Sequence, residues 1–365
     1  MIIRHPGWQP PHCPNSNCKY HNGSVNTWRY KRKGWYTRLA YPTRIRRFTC
    51  LHCRITFSTQ TFSTTYWQRQ PGLDLKIFMM IVGCMANRQI ARAVGVSPPT
   101  IDRHIARLGR HCMLFHTKMM QETKASSTVV IDGFETFELS QYYPFHHNLA
   151  VDVDTGFFLH HTDSPLRRKG RMTDYQKKRR TELESQFGRP DPQAVRKGIV
   201  SLLRDITRGR TEITIRSDEH RSYEPALNEV DCSIRHERTS SKDHRDKRNP
   251  LWEVNLLDLL IRHGTAAHKR ETIAWAKRRQ ASAERLCILQ VWRNVIKRRW
   301  ENGPPESPAM LKGLTDHLFT VADVLKERLF RNRIELPAVW GEYYDRDVQT
   351  PALGVNRRHE LTYAY

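Results

Sequence analysis

The segment Thr128-Val129-Val130-Ile131-Asp132-Gly133 lies in the middle third of the chain and decides the fold. A run of apolar and β-branched residues followed by an acid and a glycine is typical of a short buried strand that ends in a turn. His147–Val153 and Phe157–His161 have the same strand-forming character, and the turn formers Asp154-Thr155-Gly156 separate them. We therefore predict three consecutive strands that begin a β-sheet.

Beyond these strands the pattern alternates between helix and strand. Ala194–Ile206 has apolar residues at helical spacing, and Glu212–Arg216 and Asp231–His236 are predicted as a fourth and a fifth strand. Leu251–His263 then follows as a closing helix. This order outlines a ribonuclease-H-like layer. The sequence thus predicts an α/β fold with a mixed-sheet, ribonuclease-H-like catalytic core.

Two acids occupy comparable positions in this predicted sheet. Asp132 ends the first strand and Asp218 follows the fourth, and the two strand ends lie side by side in that topology. A single acid at a strand end is usually only a turn former. A pair can share divalent cations, and two Mg²⁺ or Mn²⁺ ions about 3.5–4 Å apart can promote attack on a phosphodiester. Asp132 and Asp218 are therefore candidate catalytic residues and metal ligands.

The closing helix offers three candidates for a third ligand, and the sequence leaves them open. Asp258 and Asn255 are three residues apart and share a helix face, on which Arg262 also lies. Glu253 lies on a different face. Asp258 or Glu253 would act as a carboxylate ligand and Asn255 as a neutral one. His220 could contact a phosphate or move a proton.

Two close pairs of cysteines near the N-terminus predict a structural metal site. Four residues separate the first pair and two the second, spacings that fit knuckles around a tetrahedral ion. His12 or His21 could replace a thiolate. We expect a four-cysteine zinc ribbon, in a segment too small for a core of its own without metal. Its expected zinc ligands are Cys13, Cys18, Cys50 and Cys53.

A helix-turn-helix pattern follows the ribbon. Gln89–Val94 forms a short apolar helical stripe, Gly95 permits the tight turn, and Ser97 precedes a second helix that carries two prolines in its first turn. The exposed face of the second helix would enter a major groove of DNA. The expected DNA-binding residues are Thr100, Arg103, His104 and Arg107.

Charge and composition agree with a nucleic-acid partner. The 365 residues include 61 Lys plus Arg against 37 Asp plus Glu, a formal net charge of +24. A surplus of this size is typical of proteins that bind polyanions. No apolar run is long enough for a membrane helix, and no secretion signal precedes the eight cysteines. We therefore expect no membrane partner and a reducing, cytoplasmic location.

The patterns divide the chain into four parts. Glu271–Arg299 is predicted as one long basic helix that ends the core, and Val321–Phe330 as a helix of the last part. The parts are a zinc ribbon (1–66), a helix-turn-helix domain (67–122), a catalytic core (123–300) with a basic insertion at 164–193, and a helical or irregular C-terminal extension (301–365).

This series of modules resembles bacterial insertion-sequence transposases in which a zinc ribbon and a helix-turn-helix precede an Asp-Asp-Glu-type core. The resemblance covers roughly 10–320. Besides the four cysteines, it rests on Ile90–Leu108, Val130–Gly133, Ile215–Tyr223, Arg270–Ile273 and Ser307–Leu314.

The resemblance implies a DNA transposase that binds the ends of its element as a dimer or larger oligomer. Asp132 and Asp218 would be the first two ligands for catalytic metal ions, which would support phosphodiester hydrolysis and strand transfer on double-stranded DNA near the bacterial nucleoid. Two other functions stay open. One is a non-catalytic DNA-binding protein, either a transcription regulator or a transposase relic, and the other is a nuclease without strand transfer.

Overall fold

The computed structural model describes residues 8–121, 126–240 and 242–353. The predicted domain boundary at 122/123 and the end of the C-terminal extension, 354–365, lie outside them. The strands are β1 Tyr30–Thr37, β2 Arg44–Cys50, β3 Thr56–Ser58, β4 Thr128–Phe137, β5 Pro144–Asp152, β6 Phe158–Pro165, β7 Glu212–Ser217 and β8 Ser233–Arg238. The helices are α1 Leu73–Val82, α2 Asn87–Val94, α3 Pro98–Gln121, α4 Asp174–Phe187, α5 Ala194–Ile206, α6 Tyr223–Leu227, α7 Trp252–Gly264, α8 Arg279–Val291, α9 Pro308–Leu311, α10 Val321–Val324 and α11 Ala338–Asp345.

Strands β4 to β8 form a five-stranded mixed sheet in the order β6-β5-β4-β7-β8. The first three strands pair antiparallel, whereas β4 with β7 and β7 with β8 pair parallel. The expectation of an α/β fold with a mixed sheet is confirmed. The central strand β4 alternates its contacts: Val129 and Ile131 join one buried cluster, and Val130 joins the other.

Helices cover both faces of this sheet. On one face, Ile199 and Leu202 of α5 pack in the same buried cluster as Ile131. On the other, Val254 and Leu257 of α7 pack in the cluster that contains Val130. Both faces of the sheet therefore have the helical cover that parallel strands require.

The N-terminal part is a small three-stranded antiparallel sheet, β1-β2-β3. Its core contains aromatic rings and the cysteine thiols rather than aliphatic side chains, and Phe330 from the C-terminal extension packs against it. The described N-terminal part is therefore held partly by a segment about 270 residues later in the chain.

The N-terminal helices continue into the core. Helix α2 ends at Gly95, which has a left-handed φ of 71° as the tight turn requires. Helix α3 runs for 24 residues to Gln121 and packs along α8. At Gly109 an added Cβ would lie 2.7 Å from the Cβ of Glu284, so only glycine permits this close approach.

Two predictions of long helices are wrong. The segment 271–278 is irregular, with Glu271 at a positive φ of 52°, and regular helix begins at Arg279. A π-turn, Trp292–Ile296, then ends the element. In the C-terminal extension, the helix predicted over Val321–Phe330 is one turn, Val321–Val324.

Tertiary contacts determine the shape of the C-terminal extension. The aromatic rings of Trp340, Tyr343 and Tyr344 on α11 are almost fully buried against the core. Lys312 forms a buried ion pair of 2.8 Å with Asp152 at the end of β5. None of the described helices is long and apolar enough to cross a membrane.

Candidate functional site

The parallel register of β4 and β7 places Asp132 and Asp218 at the same level of the sheet. The prediction that the first strand ends at Asp132 is wrong: β4 continues to Phe137 because β5 pairs with it from Val129 to its end, and Asp132 lies opposite Leu149. Only the parallel pairing with β7 stops near the acid, since its last paired residues are Val130 and Arg216, and each acid follows its strand's pair by two positions.

A spacing of two within a strand keeps side chains on the same face, so the Asp132 carboxylate is on the side on which Val130 packs. Asp218 directly follows the end of β7 and lies near enough for its charge to raise the pKa of Asp132. Each is anchored by a backbone N–H: Gly133 donates to Asp132 at 2.7 Å, and His220 donates to Asp218 at 2.9 Å.

Helix α7 brings Asp258 to these two acids. Leu257 and Val254 pack under the sheet on the same face, and Asp258 lies beside them on the helix. Its Oδ1 atom is buried and has no hydrogen-bond partner. A buried carboxylate oxygen without a donor is costly unless a proton or a cation satisfies it.

The electrostatics of the three acids show that they interact. Burial raises the pKa of Asp132 to about 6, with Asp218 adding to the increase. Burial raises the pKa of Asp258 to about 7, and the charge of Asp132 is the next cause. Asp132 is therefore the acid that interacts with both others: Asp218 raises its pKa, and Asp132 in turn raises the pKa of Asp258.

Tyr223, at the start of α6, was not singled out as a site residue from the sequence. Its pKa is raised well above the usual range, first by burial and then by the charges of Asp132, Asp218 and Asp258. Its hydroxyl therefore stays protonated and lies near all three carboxylates. Its position five residues after Asp218, on the short helix that follows β7, is the signal that could have identified it.

Positive charge surrounds the acids. Arg245 lowers the pKa of both Asp132 and Asp258, and Arg262 and Arg270 lower that of Asp258. Burial lowers the pKa of His220, and its Nδ1 accepts a hydrogen bond from the Ser222 backbone at 3.3 Å. The neutral ring thus carries its hydrogen on Nε2, which can donate to an anionic substrate.

The donor set suits hard divalent cations. The carboxylates of Asp132, Asp218 and Asp258 are oxygen ligands of the kind that Mg²⁺ and Mn²⁺ take. A bound cation would offset the burial of the Asp132 and Asp258 charges and would satisfy the Asp258 oxygen. Within the described ranges, one group of three or more possible metal ligands has all its ligand atoms within 4.8 Å of one another, and this group is the four N-terminal thiols. The three acids are therefore spaced more widely than ligands of one small ion.

The structure separates Glu253 from these acids. Its carboxylate forms an ion pair of 2.8 Å with Arg299, and both side chains are only 10% exposed. Burial raises the pKa of Glu253, while Arg299 and Arg293 lower it. Glu253 thus belongs to a structural ion pair on the other side of α7. Asn255 lies one turn before Asp258 and is half-buried.

The four N-terminal cysteines meet around one point. Their Sγ atoms all lie within 4.8 Å of one another, and those of Cys13 and Cys53 are 3.6 Å apart. Cys50 ends β2, and its Sγ accepts a hydrogen bond of 3.3 Å from the indole N–H of Trp28. Four thiols at this spacing, with an outer donor, can bind zinc.

The two neighbouring histidines support this site from outside. The Nδ1 atoms of His12 and His21 lie 3.0 and 2.8 Å from the backbone oxygen of Cys13. Burial lowers the pKa of both rings, so they are neutral. They hold the first knuckle in place, and the structure gives no support for either as a substitute for a thiolate.

The second helix of the helix-turn-helix presents less free surface than the sequence suggests. Thr100 is half-buried and Arg103 is exposed at the start of α3. His104 is buried and its Nδ1 lies 2.5 Å from Asp74. Arg107 donates to the backbone oxygens of Tyr66 and Thr64 at 2.6 and 3.3 Å. Of the four predicted residues, these last two therefore bind other parts of the chain.

No known family model matches the chain. Among solved structures, a cryoEM structure of a simian T-cell lymphotropic virus intasome in complex with PP2A regulatory subunit B56 gamma contains a chain with some similarity. The identity is 9%, the match covers 62% of this chain and 70% of that chain, and the TM-score is 0.24. A similarity this low supports no conclusion about fold or activity.

Proposed function

We propose that the protein is a DNA transposase of the insertion-sequence type with a metal-dependent, ribonuclease-H-like catalytic core. The observation that supports this proposal is that the charge of Asp132 interacts with that of Asp218 and with that of Asp258, whose Oδ1 is buried without a hydrogen-bond partner. Acids from two adjacent parallel strands and a covering helix form an arrangement suited to phosphodiester chemistry.

The topology supports the same proposal. Three antiparallel strands precede two parallel ones, in the order β6-β5-β4-β7-β8. The central strand of this sheet carries Asp132, and its parallel neighbour is followed by Asp218. This is the order that the ribonuclease-H-like prediction requires.

Each site residue has a distinct task in this proposal. Asp132 would bridge two divalent cations, and Asp218 and Asp258 would each hold one of them. When bound, such ions activate the attacking oxygen and stabilise the leaving oxygen of the phosphodiester. Arg245 and Arg270 would attract the DNA backbone, and His220 would donate a hydrogen bond from Nε2 to a phosphate. Tyr223 would hold the acids in place through its protonated hydroxyl.

DNA recognition would fall to the N-terminal modules. Arg103 and Thr100 are the residues of α3 that would contact DNA. Exposed basic side chains on β1 and β2 add phosphate contacts beside the zinc ribbon. Two element ends must be joined, so we expect at least a dimer on DNA.

The test is cleavage and joining of a DNA substrate that carries the element's own ends, with Mg²⁺ or Mn²⁺. Asp132→Asn, Asp218→Asn and Asp258→Asn should each abolish both cut and joined products without loss of DNA binding. Asp154→Asn, an exposed acid in the β5–β6 turn, should leave both intact.

Two other results would contradict the proposal. Tight, salt-sensitive DNA binding with no metal-dependent product from the unaltered protein would indicate a non-catalytic DNA-binding protein. Cut products without joined ones would indicate a nuclease that lacks strand transfer.

A further inference from the structure

A cavity of about 160 Å³ lies where α4, the helix of the basic insertion, faces the ends of β5 and β6. None of the side chains of α4 is buried, so this helix does not contribute to the hydrophobic core. Apolar side chains such as Leu166 and Leu183 form part of the wall. The charged part of the wall consists of five arginines and two glutamates: Arg167, Arg168, Arg180, Arg189, Arg279, Glu138 and Glu184.

One carboxylate serves three of these arginines. Arg167 donates two hydrogen bonds to Glu184, at 2.7 and 3.0 Å. The Nε atoms of Arg180 and Arg189 lie 3.5 and 3.4 Å from the same carboxylate. Because Arg167 already donates to both oxygens of Glu184, this carboxylate only partly compensates the charges of Arg180 and Arg189.

Three buried donors of the wall make no hydrogen bond, although one of them, the Nε of Arg180, lies 3.5 Å from the Glu184 carboxylate as an ion pair. The Nε atoms of Arg180 and Arg279 and the hydroxyl of Tyr143 are buried without a hydrogen-bond partner. Arg279 is held by Asp163 at 3.3 Å and by the backbone oxygen of Gln349 at 3.5 Å, so its guanidinium is fixed while Nε is unsatisfied. Buried donors of this kind are rare and costly, and they indicate a missing acceptor.

We propose that this cavity binds a phosphate group. A tetrahedral oxyanion offers several acceptor oxygens to the unsatisfied donors and negative charge to the surplus arginines. The oxyanion can come from a DNA backbone or from a free phosphate ion. Exposed Lys177 and Lys178 on the adjoining face of α4 favour a DNA backbone. The DNA source rests on the proposed function, whereas the oxyanion site does not.

The first experiment measures thermal unfolding of the full chain in phosphate and in chloride at equal ionic strength. Phosphate should raise the Tm by about 2–4 °C because it binds only the folded state. Arg180→Gln and Tyr143→Phe should abolish the increase, and the second variant removes only a hydroxyl. Arg179→Gln is the matched control, because it also removes one charge and one ion pair from α4 but lies outside the cavity. An equal Tm in both salts, or an undiminished increase in both cavity variants, would overturn the proposal.

The second experiment identifies the source of the phosphate. Binding of a DNA duplex at several salt concentrations is compared between Arg180→Gln and Arg179→Gln. If a backbone phosphate occupies the cavity, Arg180→Gln should weaken binding by about 10-fold and lower the salt dependence by about one phosphate contact, more than the control does. Equal DNA affinities with a retained phosphate effect on Tm would assign the cavity to the free ion. This result would not contradict the proposed function. Conversely, an unaltered protein that forms no metal-dependent products but keeps the phosphate effect on Tm would contradict the proposed function and not the oxyanion site.

Discussion

At the scale of single residues, the buried acids Asp132 and Asp258 destabilise the protein when no cation is bound. Burial raises the pKa of Asp132 to about 6 and that of Asp258 to about 7. Since the unfolded acids titrate near pH 4, the folded state binds more protons between pH 4 and 7. Below this pH range both acids are protonated, and their burial then lowers the free energy of unfolding only slightly. Stability therefore falls as the pH rises through it.

Asp258→Asn should stabilise the protein at pH 8, in buffer without added divalent cation, by on the order of 1–2 kcal/mol. At pH 5 the effect should be small, because Asp258 is then protonated. Thermal unfolding at both pH values measures this, with Asp154→Asn as the exposed control. Mn²⁺ should stabilise the unaltered chain more at pH 8 than at pH 6, because protons compete for the same oxygens. A variant no more stable than the unaltered chain at pH 8 would contradict the prediction.

For Glu253 we expect the opposite effect on stability, a loss when the carboxylate is removed. Its removal leaves Arg299 buried without a counter-charge, so Glu253→Gln should lower the free energy of unfolding by about 2–4 kcal/mol. Urea unfolding measures this loss, and Glu253→Gln combined with Arg299→Met should recover part of it. Metal-dependent activity per folded molecule should be retained at low temperature. Unchanged stability with lost activity would instead make Glu253 a metal ligand.

At the scale of elements, the sequence allows the strands of the core and the helices α2, α5 and α7 to be located. Their periodicity is strong, and parallel pairing of β4 with β7 then brings Asp132 beside Asp218. The long helix predicted over Glu271–Arg299 is wrong because tertiary contacts compete with helix formation. Thr272 donates to the backbone oxygen of Ala266, and Trp275 donates to that of Leu139. Periodicity within one segment does not reveal such partners.

Helix α3 shows the same limit of prediction from sequence. A basic pattern on α3 predicts a DNA-binding face, but the pattern does not reveal that residues 64–74 cover part of it. Asp74 and the backbone of Thr64 and Tyr66 take His104 and Arg107 as their partners. The segment before α1 and the first turn of α1 thus fix the position of α3. These contacts join segments about 30–40 residues apart, so they are visible only in the folded structure.

Arg103 and Arg107 therefore allow a test on one helix. Arg103→Gln should weaken DNA binding by about 10-fold or more at unchanged Tm, because its side chain is exposed on α3. Arg107→Gln should lower the Tm by several degrees, because it removes hydrogen bonds to two backbone oxygens. Duplex binding and thermal unfolding of both variants separate the two roles. Weaker DNA binding by Arg107→Gln at an unchanged Tm would contradict this assignment and would indicate that Arg107 contacts DNA.

At the scale of the whole molecule, the C-terminal extension connects the N-terminal three-stranded part, with its four cysteines, to the part that contains the five-stranded sheet. Phe330 packs in the ribbon's aromatic cluster, and Arg333 donates to the backbone oxygen of His21. Some residues later, Trp340 and Tyr343 are buried against the core. The N-terminal part therefore provides part of the surface on which Phe330 and Arg333 pack.

Loss of zinc should consequently loosen the extension as well as the ribbon. Cys50→Ser should remove the bound zinc, about one ion per chain in the unaltered protein, and expose the 325–336 segment to limited proteolysis. Cys232→Ser, at an isolated cysteine outside the cluster, should retain both zinc and resistance. Metal analysis and mapping of the cleavage sites measure the two effects. Cleavage confined to the ribbon would show that α11 alone holds the extension, and full zinc content in Cys50→Ser would remove Cys50 from the ligand set.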